Sequence, residues 1–381
     1  MSRLVNPVIP TRILLIEDSN TDALLIQAHL KKADPSFVVK RELNLADGLA
    51  HVSRGETDVI LLDLNLPDSA GLETFSALYR RALQVPIVVL SGQDDVELAV
   101  DAVSLGAQDY LPKGEANRSS LARSVRYAIE RARRQRAEQE LTAAGEIQRR
   151  LFPQRSPHLD GYDLYGRCEP ANSAGGDYFD YFPMDDGRWG IVVADVAGHG
   201  IGPALIMSET RAILRSLATT HNDPGQILTR ANQVLTEDLH NNIFVALLLA
   251  CLEPATAELQ FASAGHPGLL LDPSGAVAQK FLSADPPLGV LEDRVFSTQN
   301  IRPLTSGESL LLYTDGIVEA FNEQDQQFGE ARLIGTLQDL VGRSARDTID
   351  EVFSRVQKFS SESTYQDDMT AVLLRVGERE S

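Results

Sequence analysis

Carboxylates recur at the ends of short apolar runs and in glycine-bounded turns of this sequence. Toward the C-terminus they are Asp177 and Asp180 in AGGDYFDYF, Asp195 in DVAGHG, Asp315 in LYTDGIVEA, and Asp367 with Asp368 in YQDDMTAVLL. Aspartates are common in turns after strands. Four widely separated motifs, each with a short apolar run beside it, are what a site assembled by folding looks like. The neighbouring glycines permit close backbone approach. Oxygen ligands suit magnesium or manganese, and two such ions bridged by aspartates and water would activate that water against a phosphate ester. A second set lies nearer the N-terminus: Glu17 and Asp18, Asp63, Ser91 and Lys113 all follow apolar runs. Three carboxylates on one edge repel one another unless a cation sits among them, and magnesium fits such a set. A lysine and a hydroxyl at the same edge would hold the oxygens of a phosphoryl group.

For the second set to meet, the runs before its members must be neighbouring strands. Residues 13–16, 59–62, 87–90 and 109–111 are continuously apolar rather than alternating, which suggests parallel strands covered on both faces. Residues 21–32 and 96–105 have helical spacing between them, giving a doubly wound α/β domain whose ligands bind beyond the carboxyl ends of the strands. Residues 117–148 contain no proline and read as one long helix, with Val125, Ile129 and Ala132 as a narrow apolar stripe. Such a helix is either a solvated linker or a pairing surface for a second copy. Pro153 marks the break after it. The pattern then changes to strands at 189–194, 244–252, 258–262, 268–271, 309–313 and 370–376, with helices at 201–217, 224–239 and 331–340. That mixture suggests an α+β domain of sheets covered by helices.

A chain of 381 residues exceeds one ordinary core and predicts two or three domains. Its net charge of −19 argues against DNA as a partner. The one basic cluster, 131–136, reads as a solvated helix face or a contact for an acidic partner. No apolar stretch approaches the ~20 residues that span a bilayer, and the N-terminal residues lack a signal-peptide core. A cytoplasmic protein without membrane partners is the expectation. Cys168 and Cys251 have no ligand pattern around them and read as small buried residues.

The N-terminal motifs, LLIEDS, LLDLNLPDSAG, VVLSG and DYLPKG, in this order resemble the response-regulator receiver family over residues 11–130. The resemblance implies a flavodoxin-like fold in which Asp63 accepts phosphate from a sensor histidine kinase. It also implies that Glu17, Asp18, Asp63 and the Asn65 carbonyl bind Mg2+. Ser91 and Lys113 would contact the phosphoryl group, and Tyr110 would report it by changing rotamer. Gly114 follows Lys113 where the family often has proline, so no cis peptide is expected there.

The C-terminal motifs resemble the bacterial sporulation and sigma-regulation branch of the metal-dependent protein phosphatases of the 2C type. They run from GEIQRRLFP through AGGDYFDYF, DVAGHG, FVALLLACLEP, ASAGHPGLLL, PPLGV, LYTDGIVEA and DDMT, roughly residues 145–376. The resemblance implies an αββα β-sandwich over 151–377, joined to the receiver by a linker helix at 117–150 that overlaps the receiver's last helix. Two Mg2+ or Mn2+ ions would be held by Asp177, Asp195 and the Val196 carbonyl, with Asp315 and Asp367, or its neighbour Asp368, completing one shell. His199 stands where a general acid would protonate a serine leaving group, or where a histidine would serve as a hydrogen bonder. His266 suits packing better than catalysis. No equivalent of the family's substrate-phosphate arginine is identifiable. The implied activity is dephosphorylation of phosphoserine or phosphothreonine on a partner, a phosphorylated anti-sigma antagonist of the STAS type, under control of Asp63. The rival expectation, a non-enzymatic adaptor that binds a sigma factor through a phosphatase-like domain, would require missing ligands.

Overall fold

Continuous apolar runs become buried strands in both halves of the chain. The structure, a computed structural model, describes residues 10–82, 85–92, 96–198, 200–239, 243–360 and 367–377. They form two units that divide between Gln139 and Glu140.

The first unit runs β1 (Thr11–Ile16), α1 (Asn20–Ala33), β2 (Phe37–Glu42), α2 (Leu45–Val52) and β3 (Val59–Asp63). The short ladder β4 (Asn65–Leu66) with β5 (Ser69–Ala70) follows, then α3 (Leu72–Arg81), β6 (Ile87–Ser91), α4 (Val96–Ser104), β7 (Asp109–Pro112) and α5 (Arg118–Arg149). The sheet is parallel, in the order β2-β1-β3-β6-β7. Ile13, Leu15, Leu61 and Val88 join one core, whereas Leu14, Ile16, Ile60 and Val89 join another on the opposite face. Two-sided burial is therefore what made these runs continuous. The sequence pattern did not single out β2, an edge strand ending Lys40-Arg41-Glu42 in which Phe37 alone is buried. Helix α5 extends one residue beyond the expected end. Its Val125 is not a free seam residue: it lies fully buried in the receiver core with Leu121 and Ala128. Residues 133–140 of the same helix are exposed.

The second unit continues with β8 (Tyr162–Glu169), β9 (Tyr178–Pro183), β10 (Trp189–Val196), α6 (Ile201–Leu217), α7 (Pro224–Asp238), β11 (Val245–Leu252), β12 (Leu259–Ala264) and β13 (Gly268–Leu271). After these come β14 (Val277–Phe281), β15 (Gln299–Ile301), β16 (Ser309–Tyr313), α8 (Asp315–Val318), α9 (Gly329–Asp339), α10 (Ala345–Ser360) and β17 (Met369–Val376). Two antiparallel sheets result, β15-β12-β11-β10-β9 and β14-β13-β16-β17-β8. Val193, Leu248 and Phe261 of the first meet Leu312, Val372 and Leu374 of the second in one core. On the outer face of the first sheet, Val192 and Leu249 pack under Met207 of α6 and Ile227 of α7. Outside the second, Leu311 and Leu373 pack under Leu333 of α9 and Val352 of α10. This is the αββα sandwich. Here too the runs are continuous because both faces are covered, although these strands are antiparallel. Strands β8, β9, β14 and β15 and helices α8 and α10 were not expected. Helix α10 carries a readable signal, since Ile349, Val352, Phe353 and Val356 keep helical spacing and are all buried.

Asp180 stands apart from the other carboxylates of the motifs. It is fully buried in β9, where Arg215 of α6 donates to its two oxygens at 2.6 and 2.7 Å and the Tyr178 hydroxyl donates at 2.8 Å. Arg211 lies 3.5 Å away. The residue pins α6 to the sheet. Replacing it by Asn keeps the shape and removes the charge that these donors share. Asp180→Asn is expected to lower unfolding free energy by about 2 kcal/mol in urea titration while leaving divalent-cation affinity unchanged.

Candidate functional site

Antiparallel pairing brings the C-terminal ends of β10 and β16 to the same end of the sandwich as the starts of β9 and β17. Asp195 and Val196 end β10, Asp315 follows β16, Asp367 and Asp368 precede β17, and Asp177 immediately precedes β9. The hydrogen bonds join these segments across the two sheets. Thr314 Oγ1 donates to Asp177 Oδ2 at 2.8 Å, and the Thr370 amide donates to Thr314 Oγ1 at 2.9 Å. The amides of Gly176 and Ala171 donate to Asp368 Oδ2 and Oδ1 at 2.7 and 2.8 Å. The Val196 amide donates to the Gly176 carbonyl at 3.3 Å.

Three glycines make this closeness possible. A Cβ on Gly175 would lie 2.1 Å from Asp368 Oδ2, one on Gly176 would lie 2.5 Å from the Val196 carbonyl oxygen, and one on Gly316 would lie 2.1 Å from the Asp368 carbonyl oxygen. Gly198 and Gly200, at φ of 103° and 91°, supply the left-handed turns of DVAGHG. His199 between them lies outside the described residues.

Burial and neighbouring carboxylates govern the electrostatics of this end. Burial raises the Asp177 pKa well above the ordinary carboxylate range, and Asp195 and Asp368 raise it further. Asp195 is pushed up to about 7 by burial and by Asp315, Asp367 and Asp368. Burial and then Glu319 raise Asp315. The charged neighbours acting on Asp195 are all carboxylates, so the set favours either protons or cations. An oxygen-only donor set of this charge fits magnesium or manganese. His266 is buried, donates from Nδ1 to the Pro267 carbonyl at 2.8 Å, and is lowered to about 4 by burial, so it is a neutral packing residue. Cys251 is a free thiol pushed up to about 12 by burial, and Cys168 is also free and raised by burial.

In the first unit, β1, β3 and β6 deliver Glu17, Asp63 and Ser91 to one sheet edge. Lys113 follows β7 and places its Nζ 2.7 Å from Asp63 Oδ2 and 2.8 Å from Glu17 Oε2. A residue not singled out from the sequence, Asp22 in the first turn of α1, adds a third carboxylate oxygen 3.3 Å from Lys113 Nζ. Burial, then Asp63, raise Glu17 against the opposing effect of Lys113, and the two carboxylates raise Lys113 despite its burial. Glu17, Asp18 and Asp63 bring ligand oxygens within 4.8 Å of one another; among the described residues no other three acidic, His or Cys groups do so. Among its described residues the second unit has no such compact group of three. The Asn65 amide donates to Asp63 Oδ1 at 3.1 Å. Ser91 is buried, and its Oγ has no hydrogen-bond partner among the described residues, as suits a hydroxyl whose acceptor arrives with a ligand. Tyr110 packs half-buried against the neighbouring core.

The raised Asp195 predicts a definite pH dependence. Its ordinary value is about 4, so between about 4 and the folded value of about 7 the folded chain holds a proton that the unfolded chain has released. Stability present below this window is lost as pH rises through it. Without divalent cations, the urea midpoint is expected to fall between pH 5 and pH 8, and Asp195→Asn is expected to flatten that fall.

Comparison with known proteins gives this geometry a lineage. The family model of Stage II sporulation protein E (SpoIIE) matches residues 185–377, and that of the response regulator receiver domain matches residues 13–126. Asp195, Asp315 and Asp367 fall within the first span, and Asp177 lies ahead of it. Phosphoserine phosphatase RsbU of Bacillus subtilis is 26% identical over 242 residues, 63% of this chain and 71% of that protein. Protein IcfG of Synechocystis sp. is 26% identical over 226 residues, 52% of this chain, and the match spans only 35% of the IcfG length. The SiaA-PP2C domain of Pseudomonas aeruginosa superposes with a TM-score of 0.57 at 25% identity, covering 64% of this chain and 98% of that domain. The chain therefore belongs to the stage II sporulation protein E family of 2C-type phosphatase domains and carries a response-regulator receiver domain ahead of it.

Proposed function

We propose that the chain is a two-component response regulator whose output is hydrolysis of phosphoserine or phosphothreonine on a partner protein. The observation that carries this reading is the convergence of carboxylates from both sheets at one end of the sandwich, where burial and these neighbours raise Asp177 and Asp195. In this reading Asp177, Asp195 and the Val196 carbonyl hold two Mg2+ or Mn2+ ions, and Asp315 and Asp367 complete one shell. Both Asp368 oxygens accept backbone amides, and Asp367 Oδ1 accepts the Asp368 amide at 2.8 Å, so Asp367 is kept as the ligand on its sequence position alone. When bound, the cations supply Lewis acidity toward the phosphate ester and the attacking water. The chain's own part is to hold these carboxylates in place, with Thr314 orienting Asp177 and the Gly176 amide orienting Asp368. His199 is a candidate proton donor to the leaving serine oxygen from its sequence position alone.

The substrate we favour is a phosphorylated anti-sigma antagonist of the STAS type, in keeping with the similarity to a phosphoserine phosphatase. In the receiver, a sensor histidine kinase would phosphorylate Asp63, with Glu17, Asp18 and the Asn65 carbonyl holding Mg2+ and with Ser91 and Lys113 receiving the phosphoryl oxygens. Lys113 already contacts Asp63, so phosphorylation would redirect an existing ion pair. Tyr110 would then change rotamer, and α5 would carry the signal, by itself or through a homodimer. The adaptor reading has no missing acidic position to support it. Among the described residues no helix is long and apolar enough to cross a membrane, which accords with the cytoplasmic setting of such a relay.

Three measurements test this. On a phosphoserine protein with Mn2+, wild type should turn over and Asp195→Asn should lose at least about 100-fold; absence of wild-type turnover, or an undiminished variant, would sink the enzymatic reading. Adding acetyl phosphate should change the wild-type rate but not that of Asp63→Asn. Light scattering on the same samples should show a mass change on phosphorylation if pairing through α5 is the switch.

A further inference from the structure

The end of α5 belongs to the second unit and lies directly on the loop that leads to Asp177. Gln148, buried to 7% exposure, donates from Nε2 to the Gly175 carbonyl at 2.7 Å and accepts from the Gly175 amide at Oε1 at 3.1 Å. One side-chain amide thus satisfies both polar groups of one residue. Gly175 is followed by Gly176, whose amide donates to Asp368 Oδ2 and whose carbonyl accepts from the Val196 amide, and then by Asp177. Gly176 thus ties the Asp368 and Val196 segments to the loop that Gln148 holds, and Asp177 ties Thr314, the neighbour of Asp315, to the same loop.

A second observation points the same way. Gly145 sits inside a helix, where glycine costs about 1 kcal/mol relative to alanine. A Cβ there would lie 1.7 Å from the Ser173 carbonyl oxygen. The helix interior thus accepts an unfavourable residue so that its backbone can touch the loop, one turn before Gln148. Phe152, just beyond the helix, stacks on Phe179 of β9 at 5.5 Å and anchors the chain after it.

We propose that Gln148 is a positioning residue for the cation site of the second unit: it fixes the Gly175-Gly176 peptides from which Asp177, Asp368 and Val196 take their places. This rests on the cation-site reading above. Through it the linker helix becomes part of the site's wall, and a shift or rotation of the last turns of α5 would break both amide bonds together.

The test is direct Mn2+ binding to the full chain, followed by calorimetry, in an Asp18→Asn background that weakens the receiver's own cluster. Gln148→Met preserves length and removes both hydrogen bonds. It is expected to weaken Mn2+ uptake about 10- to 100-fold, the usual effect of removing a residue that orients metal ligands. Gln154→Ala, which removes bonds from an exposed side chain to the Arg149 and Phe152 carbonyls, should bind like the parent and shows that loosening the helix end alone is not the cause. A Gln148→Met chain that melts earlier but binds Mn2+ with parental affinity overturns the proposal. Should that variant not fold, Gln148→Glu, which keeps only the acceptor for the Gly175 amide, decides it: weaker uptake supports the proposal and equal uptake overturns it. No uptake by the parent overturns the cation-site reading and this proposal with it.

Discussion

Mutual repulsion among carboxylates that the fold forces together is the constraint on which the second unit depends. Asp177, Asp195, Asp315, Asp367 and Asp368 come from segments far apart in sequence, and the attraction that gathers them is not their own. The sandwich core supplies it: Val193, Leu248, Leu312 and Val372 bury against one another and place the strand ends side by side. Burial then makes each charge more costly, which is why Asp195 titrates near neutrality. An assembly of this kind stores a demand for positive charge, and the backbone amides of Ala171 and Gly176 meet only a small part of it at Asp368.

The receiver solves the same problem differently. Its Glu17 and Asp63 are also buried, but Lys113 spans both and reaches Asp22 as well. One lysine offsets part of the charge of these carboxylates before any ligand arrives. Such a site can exchange the lysine's partners, whereas in the second unit burial and neighbouring carboxylates together raise Asp195.

The apolar pattern was legible for what it physically reports, which is how many faces of a strand are covered. In β3 and β6 that meant a parallel sheet between helices. In β10, β11 and β17 the same continuity meant antiparallel strands between a second sheet and a helix layer. Strands β2 and β9 escaped notice for related reasons. The first is an edge with polar residues, and the second mixes aromatics with Asp180, whose partners Arg211 and Arg215 lie on a helix 30-odd positions away. No local rule separates Asp180 from Asp177, although one is a structural ion pair and the other faces the acidic end of the sandwich.

What the sequence determined by itself is the central strands, most of the long helices and the chemistry of their ends: two-sided burial, glycine-bounded turns, and carboxylates following apolar runs, all of which are local properties of residue type and spacing. Tertiary structure alone decided which carboxylates share a field. It gave both Asp368 oxygens to backbone amides, drew Asp22 into the Lys113 cluster, and set Val125 in the receiver core rather than on a free seam. It also brought Gln148 and Gly145 of a helix that reads as a plain linker onto the Gly175 loop. Hydrogen bonds and Coulomb interactions depend on distances of a few ångströms between residues remote in the chain, and those distances exist only after the core has closed.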